Sequence, residues 1–264
     1  MPTVEVNGAA LHVRQEGAGD DVLLLCGLGD DIAAWDAQTP VLAERYRVTV
    51  IDNRGVGQST LPDGEFTVRD LAADAAGVCD ALGITSAHVM GFSMGGAIAQ
   101  ELALARPELV RSLVIVGSWC RSDRLLKEIV KGAAYTAGTA DDERAWLHAF
   151  LGLVYSAAVH EDGRIDEFVD AALANPHPQS TEAFQRTARA ILDHDTADRL
   201  DAVTVPTLVL VGEEDVLCPP RHSRAIAARI GGSRLVVVPE QAHQPFQEDP
   251  AAFNELALDF LDSV

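Results

Sequence analysis

Hydrophobic positions along the chain fall into two kinds of run that alternate. One kind is short and unbroken: Val22-Leu23-Leu24-Leu25-Cys26, Arg47 to Asp52, Ala87 to Met90, Val110 to Gly117, Thr207 to Gly212 and Arg234 to Val238. Apolar runs without polar alternation describe strands covered on both faces, as in a mostly parallel sheet. The other kind has helical spacing and fills the intervals at Asp36 to Arg45, Met94 to Arg106, Arg221 to Ile230 and Pro250 to Leu261. Thr67-Val68-Arg69-Asp70 has capping-box spacing and opens a further helix to about Leu82. Alternating strands and helices predict an α/β fold with a twisted, mostly parallel sheet, helices on both faces, and sites at the C-terminal strand ends. Ahead of it, Thr3 to Val6 and Ala10 to Val13 flank Asn7-Gly8, which predicts an antiparallel hairpin at the sheet edge.

The alternation stops between Trp119 and Arg199. No strand pattern occurs there, and four helical patterns replace it. They are marked by Leu125, Leu126, Ile129, Val130 and Ala133; by Trp146, Leu147, Phe150, Leu151, Val154 and Tyr155; by Ile165, Phe168, Val169 and Leu173; and by Phe184, Ala188, Ile191 and Leu192. Asn175-Pro176-His177-Pro178 is the turn between the last two. The expected organisation is an α/β core of residues 1–119 and 199–264 carrying an all-helical cap of residues 120–198.

Composition narrows the partners. The 40 acidic residues against 20 basic ones give a net charge of −20, which repels nucleic acid and anionic membranes. Acidic small molecules stay open, because a pocket can differ in sign from the surface around it. Cys26, Cys79, Cys120 and Cys218 have neither metal-ligand spacing nor a disulfide pattern and read as reduced thiols. The N-terminus lacks a signal-peptide pattern and no apolar run reaches membrane-spanning length, so a cytoplasmic protein without a membrane or metal partner is expected.

Chemistry concentrates in His88-Val89-Met90-Gly91-Phe92-Ser93-Met94-Gly95-Gly96-Ala97, where a strand runs into a glycine-flanked serine and then an Ala-rich helix. Gly91 and Gly95 allow the chain to turn sharply and hold Ser93 in a strained conformation at the mouth of a site. The same turn puts the Met94 amide at a helix N-terminus, where it can face a developing oxyanion. A serine hydroxyl needs a base and an orienting acid, which in this architecture follow in the order Ser, Asp or Glu, His. Asp215 follows the strand ending at Val211, and His243 follows the strand ending at Val238. Imidazole can take the serine proton and return it to a leaving group, while the carboxylate fixes its tautomer. Glu213, Glu214 and Asp123 rival Asp215; the rigid strand end before Asp215 favours it, since Asp123 lies where the chain already enters the cap. Asn53 to Ser59 fits neither glycine-rich phosphate-loop pattern and reads as a structured turn. Trp119, at the border of core and cap, and Leu217, beside Asp215, are the expected pocket-lining side chains.

These motifs together resemble the α/β-hydrolase fold over essentially the whole chain. They are Gly27-Leu28-Gly29, Asp52 to Ser59, Gly91 to Gly96, Gly212 to Asp215 and Ala242-His243. Within that fold the chain is most similar to the lid-bearing branch that includes 3-oxoadipate enol-lactonases and related serine esterases. The resemblance implies a triad of Ser93, Asp215 and His243, oxyanion-hole amides from Leu28 and Met94, and a helical cap over the pocket. It implies a cofactor-free, metal-free hydrolase that cleaves a small ester or lactone through an acyl-serine. The same triad also serves C–C hydrolases of β-diketones, cofactor-free haloperoxidases, lyases or synthases, and slow-turnover ligand receptors. Family members usually carry His-Gly where this chain has Cys26-Gly27, a departure that bears on substrate rather than on the backbone donors. Serine at position 93, where dehalogenases and epoxide hydrolases of the fold carry aspartate, argues against those two chemistries.

Overall fold

In the computed structural model, which describes residues 3–264, eight strands form one sheet in the order β1-β2-β4-β3-β5-β6-β7-β8. They are β1 (Thr3–Val6), β2 (Ala9–Gly17), β3 (Asp21–Leu25), β4 (Arg47–Ile51), β5 (Ala87–Phe92), β6 (Val110–Val116), β7 (Thr207–Gly212) and β8 (Arg234–Val238). β1 pairs antiparallel with β2 and β2 antiparallel with β4, and every neighbour pair from β4 onward is parallel. Asn7 and Gly8 turn the first hairpin with φ of 47° and 76°, the positive values that a two-residue turn of matching twist requires. β3, β5 and β7 are buried at every position, which is why their sequences run apolar without alternation.

Helices cover both faces. α1 (Thr39–Ala43) and α11 (Pro250–Leu261) pack with Val22, Leu24, Val48, Val50 and Phe92 on one side. α2 (Val68–Leu82) and α3 (Met94–Ala105) cover Leu23, Val89, Leu113 and Ile115 on the other. Thr67 starts α2 with a full capping box closed by Asp70, as its spacing predicts. The helix expected over Asp36 to Arg45 is shorter: Ile32–Trp35 forms a 3₁₀ turn capped by Asp31, and α1 opens only around Pro40, which suits a first turn because it has no N–H to lose. α9 (Pro220–Ala227) likewise begins at its proline and ends before Ile230, and a short α10 (Pro245–Glu248) precedes α11.

Between β6 and β7 the chain forms α4 (Arg124–Ala137), α5 (Glu143–Leu151), α6 (Ala157–Glu161), α7 (Arg164–Leu173) and α8 (Thr181–Leu192). The stretch from Trp146 to Tyr155 is not one helix: α5 ends at Gly152, and α6 is a separate turn. The excursion leaves and rejoins the core at one place. Arg121 and Asp195 pair as an isolated antiparallel bridge, Ser122 N–H donates to His194 O at 3.1 Å, and Thr196 N–H donates to Cys120 O at 2.7 Å. All four cysteines are free and buried, and among the described residues no helix is long and apolar enough to cross a membrane.

Candidate active site

The turn from β5 to α3 explains the glycines around Ser93. Ser93 has φ 53° and ψ −116°, a conformation that costs a non-glycine residue on the order of 1–3 kcal/mol and persists only where the surroundings impose it. Here the imposition is close backbone packing. A Cβ on Gly91 would stand 2.2 Å from Gly95 O, and one on Gly95 would stand 2.1 Å from Leu25 O. The helix can therefore start directly against the ends of β3 and β5, which leaves Ser93 Oγ at the C-terminal edge of the sheet.

Two further strand ends bring partners to it. His243 Nε2 is 3.0 Å from Ser93 Oγ, and His243 Nδ1 is 2.7 Å from Asp215 Oδ2. Asp215 Oδ1 accepts a hydrogen bond from Cys218 N–H at 2.7 Å, so both carboxylate oxygens are engaged and the group is held in a side-chain environment closed to solvent. Gly212 lets these two loops touch, since a Cβ there would lie 2.1 Å from Ala242 O. The rivals are placed elsewhere. Glu213 and Glu214 are exposed, whereas Asp123 caps α4 through Leu126 N–H at 2.8 Å and turns its other oxygen to Arg221 at 3.0 Å.

His243 is also tied to the helical excursion. Its backbone N–H donates to Val154 O at 2.9 Å, and its ring meets Phe92 edge-on at 4.8 Å between centroids. Glu248 Oε1 accepts from Ala242 N–H at 3.0 Å and from Ser156 N–H at 3.2 Å, clamping the histidine loop to the start of α6. Burial raises the Glu248 carboxyl above its ordinary range, although these donors and Arg164 pull the other way. Neither the Leu28 nor the Met94 N–H has an acceptor among the turn, loop and side-chain hydrogen bonds of the described residues; Leu28 lines the same cavity as Ser93, and Met94 directly follows it.

The serine opens onto a cavity of about 490 Å³ beneath α4, α5 and α8. Trp119 and Leu217 line it, as do Leu28, Phe92, Ile129, Trp146, Phe150 and Phe184. Trp119 is fixed by an Nε1–H bond to Ser122 Oγ at 2.8 Å. Several polar lining residues went unread in the sequence, two of them beside motifs. Asp30 directly follows the Gly27-Leu28-Gly29 turn, and Gln244 directly follows His243; adjacency to a motif was the available signal. Among the described residues no three His, Cys, Asp or Glu side chains gather as a metal-binding group.

The chain belongs to the α/β-hydrolase fold family, whose model matches residues 21–250. It is 33% identical, over all of this chain and 99% of the relative, to a protein of Azorhizobium caulinodans provisionally named carbamate hydrolase RutD. A crystal structure of a hydrolase from Pseudomonas aeruginosa superposes with a TM-score of 0.87 at 30% identity, covering 98% of this chain and 96% of that one. That of the enol-lactonase from Burkholderia xenovorans superposes with a TM-score of 0.89 at 27% identity, covering 99% and 100%. Family, relatives and fold support a hydrolase acting on a small molecule.

Proposed function

We infer that the protein is a serine hydrolase that cleaves a small carboxylic ester or lactone through an acyl-serine intermediate, with residues 120–198 as its cap. The hydrogen-bonded chain from Ser93 Oγ through His243 to Asp215, at 3.0 Å and 2.7 Å, carries this reading. Ser93 Oγ attacks the carbonyl carbon while its proton passes to His243 Nε2, and Asp215 holds the imidazolium that results. The carbonyl oxygen becomes an oxyanion, for which the Leu28 and Met94 amides are the donors; preorganised amides of this kind contribute roughly 3–4 kcal/mol to such steps. Collapse breaks the C–O bond, and the leaving oxygen takes the proton from His243. Water then attacks the acyl-serine, losing its proton to the same nitrogen; collapse breaks the acyl–Oγ bond, Ser93 Oγ takes the proton back from His243, and the carboxylic acid departs.

The relatives provisionally named carbamate hydrolase RutD favour a second reading, in which the attacked carbonyl belongs to a carbamate. Geometry at Ser93 suits either, since both carbonyls pass through the same oxyanion. A panel of p-nitrophenyl esters, simple lactones and alkyl carbamates separates them by kcat/KM. The expected result is multiple turnovers on an ester or lactone, together with labelling of Ser93 alone by a serine-directed phosphonate. Undiminished turnover in Ser93→Ala would overturn the mechanism, and a clear preference for carbamates would install the second reading.

A further inference from the structure

One carboxyl faces the cavity without belonging to the Ser93–His243–Asp215 chain. Asp30 projects from the turn that carries Leu28, on the wall shared with Phe92, His243 and Gln244. Its position is set by the backbone beneath it. A Cβ on Gly27 would lie 2.7 Å from Asp30 Oδ2 and 2.8 Å from the Phe92 ring, so the carboxyl fills the space that glycine leaves. Gln244 lines the same wall, and its Oε1 accepts from the Tyr155 hydroxyl at 2.8 Å.

Apart from His243, the lining gives this carboxyl no cationic counterpart. No arginine or lysine lines the cavity among the described residues, and the second acidic side chain on its wall, Glu143, is exposed at the start of α5. The remaining surface is mainly aliphatic and aromatic, with the uncharged polar side chains Asn175, Gln179, Thr181 and Gln244 among it. A substrate chain ending in a carboxylate would have to shed its water beside Asp30 with no arginine or lysine to neutralise it, a cost that a neutral chain does not meet.

Resting on the reading that Ser93 attacks an ester or lactone carbonyl, we propose that Asp30 selects substrates by charge, admitting neutral acyl chains and rejecting those that carry a carboxylate. The rejected class includes lactones with a free carboxylate, such as the enol-lactone of 3-oxoadipate. The selection depends on pH. Burial pushes the Asp30 carboxyl up to about 7 and neighbouring Asp31 adds to the rise, against the opposing pull of His243 and the Gln244 side chain. The other groups facing it are the Cys26 thiol and the Tyr155 phenol, both raised chiefly by burial and both in part by Asp30 itself, so neither supplies a compensating charge. Below about pH 7 the carboxyl is neutral and tolerates an anion; above it, like charges meet in a poorly solvated pocket.

The test compares p-nitrophenyl heptanoate with mono-p-nitrophenyl adipate, a matched neutral and anionic pair, from pH 5.5 to 8.5. Effects of pH on the shared catalytic groups act on both substrates and cancel in the ratio of their kcat/KM values. The neutral-to-anionic ratio is expected to rise by about tenfold or more across neutrality in the wild type. It should stay flat and low in Asp30→Asn and Asp30→Ser, and keep its rise in Glu143→Gln. A pH-independent ratio in the wild type overturns the proposal, whatever the variants do. If neither ester turns over, the hydrolytic reading fails and the charge selection is judged by binding instead. Heptanamide and adipic acid monoamide are then titrated against Ser93→Ala by tryptophan fluorescence, where equal affinity at pH 8 overturns the proposal and tighter binding of the neutral amide supports it.

Discussion

Asp123 Oδ2 stands 3.3 Å from His222 Nε2, not beside His243. The carboxylate that competes with Asp215 along the sequence is thus engaged by α9, at the hinge where α4 leaves the core. Asp215→Asn should lower kcat by roughly three to four decades with the fold intact, because the amide supports the wrong imidazole tautomer. Asp123→Ala should leave kcat within about twofold and cost about 1 kcal/mol of stability through the lost helix cap. Steady-state kinetics and urea melts of the two variants check both halves; a large kcat loss in Asp123→Ala would reverse the assignment.

Gly117 closes β6 with φ 52°, and a Cβ there would stand 3.0 Å from His243 O and 3.3 Å from His243 Nδ1. Gly117→Ala should therefore press on the imidazole as well as strain the backbone. The expected outcome is a kcat reduced by about tenfold or more with KM little changed, since displacing a reacting group by a fraction of an ångström is costly. Equal effects on kcat and on melting temperature across all nearby glycine-to-alanine variants would mark the position as structural only.

The core was legible because its strands are buried on both faces and its helices carry strong punctuation. β3, β5 and β7 are apolar beyond a single polar residue near the start of each, Asp21, His88 and Thr207, and Thr67 with Asp70 announces α2 without tertiary context. Ser93, Asp215 and His243 were legible because each follows a strand end, and one sheet edge brings all such ends together. What stayed hidden depends on packing between distant segments. The α5–α6 break at Gly152 serves the bond from His243 N–H to Val154 O, which no local spacing encodes. Asp30 reads locally as a polar turn residue, and only the fold puts it inside a cavity with Phe92 and Gln244.

The raised Asp30 carboxyl has a consequence for stability that needs no substrate. Because folding favours its protonated form, its contribution is fully present below the ordinary carboxylate range and is lost as pH rises through about 7. Asp30→Asn should therefore melt higher relative to the wild type at pH 8 than at pH 5. A melting-temperature difference that does not change with pH would show that the carboxyl is not disfavoured in the fold.

His194 carries the opposite sign. It is buried behind Trp119 with both ring nitrogens lacking a hydrogen-bond partner, and burial, aided by Arg199 and Arg69 against Glu101 and Asp195, pushes it down to about 4. A histidine held neutral by the fold contributes stability above its ordinary value near 6.5, and that contribution drains away as pH falls toward 4, at up to about 1.4 kcal/mol per unit. His194→Gln should flatten this stretch of the melting-temperature profile. An unchanged acid limb in the variant would assign the loss to other groups.

Because Arg121 and Asp195 lie side by side, the helices between them leave and re-enter the sheet through one clasp, with a second tie where Val154 and Ser156 meet the His243 loop. Nothing in the strand order beneath depends on how long that excursion is or how it is folded, since the chain returns to the point it left. Lengthening such an insertion costs the core only the slow logarithmic penalty of a longer loop. Ser93, Asp215 and His243 follow strand ends, so on the proposed mechanism the chemistry is inherited with the core while the chamber wall is free to vary. Under the proposed function, a transplanted helical segment whose ends meet at the same spacing, and which keeps the partners that Val154 and Ser156 give the His243 loop, would carry the choice of substrate with it.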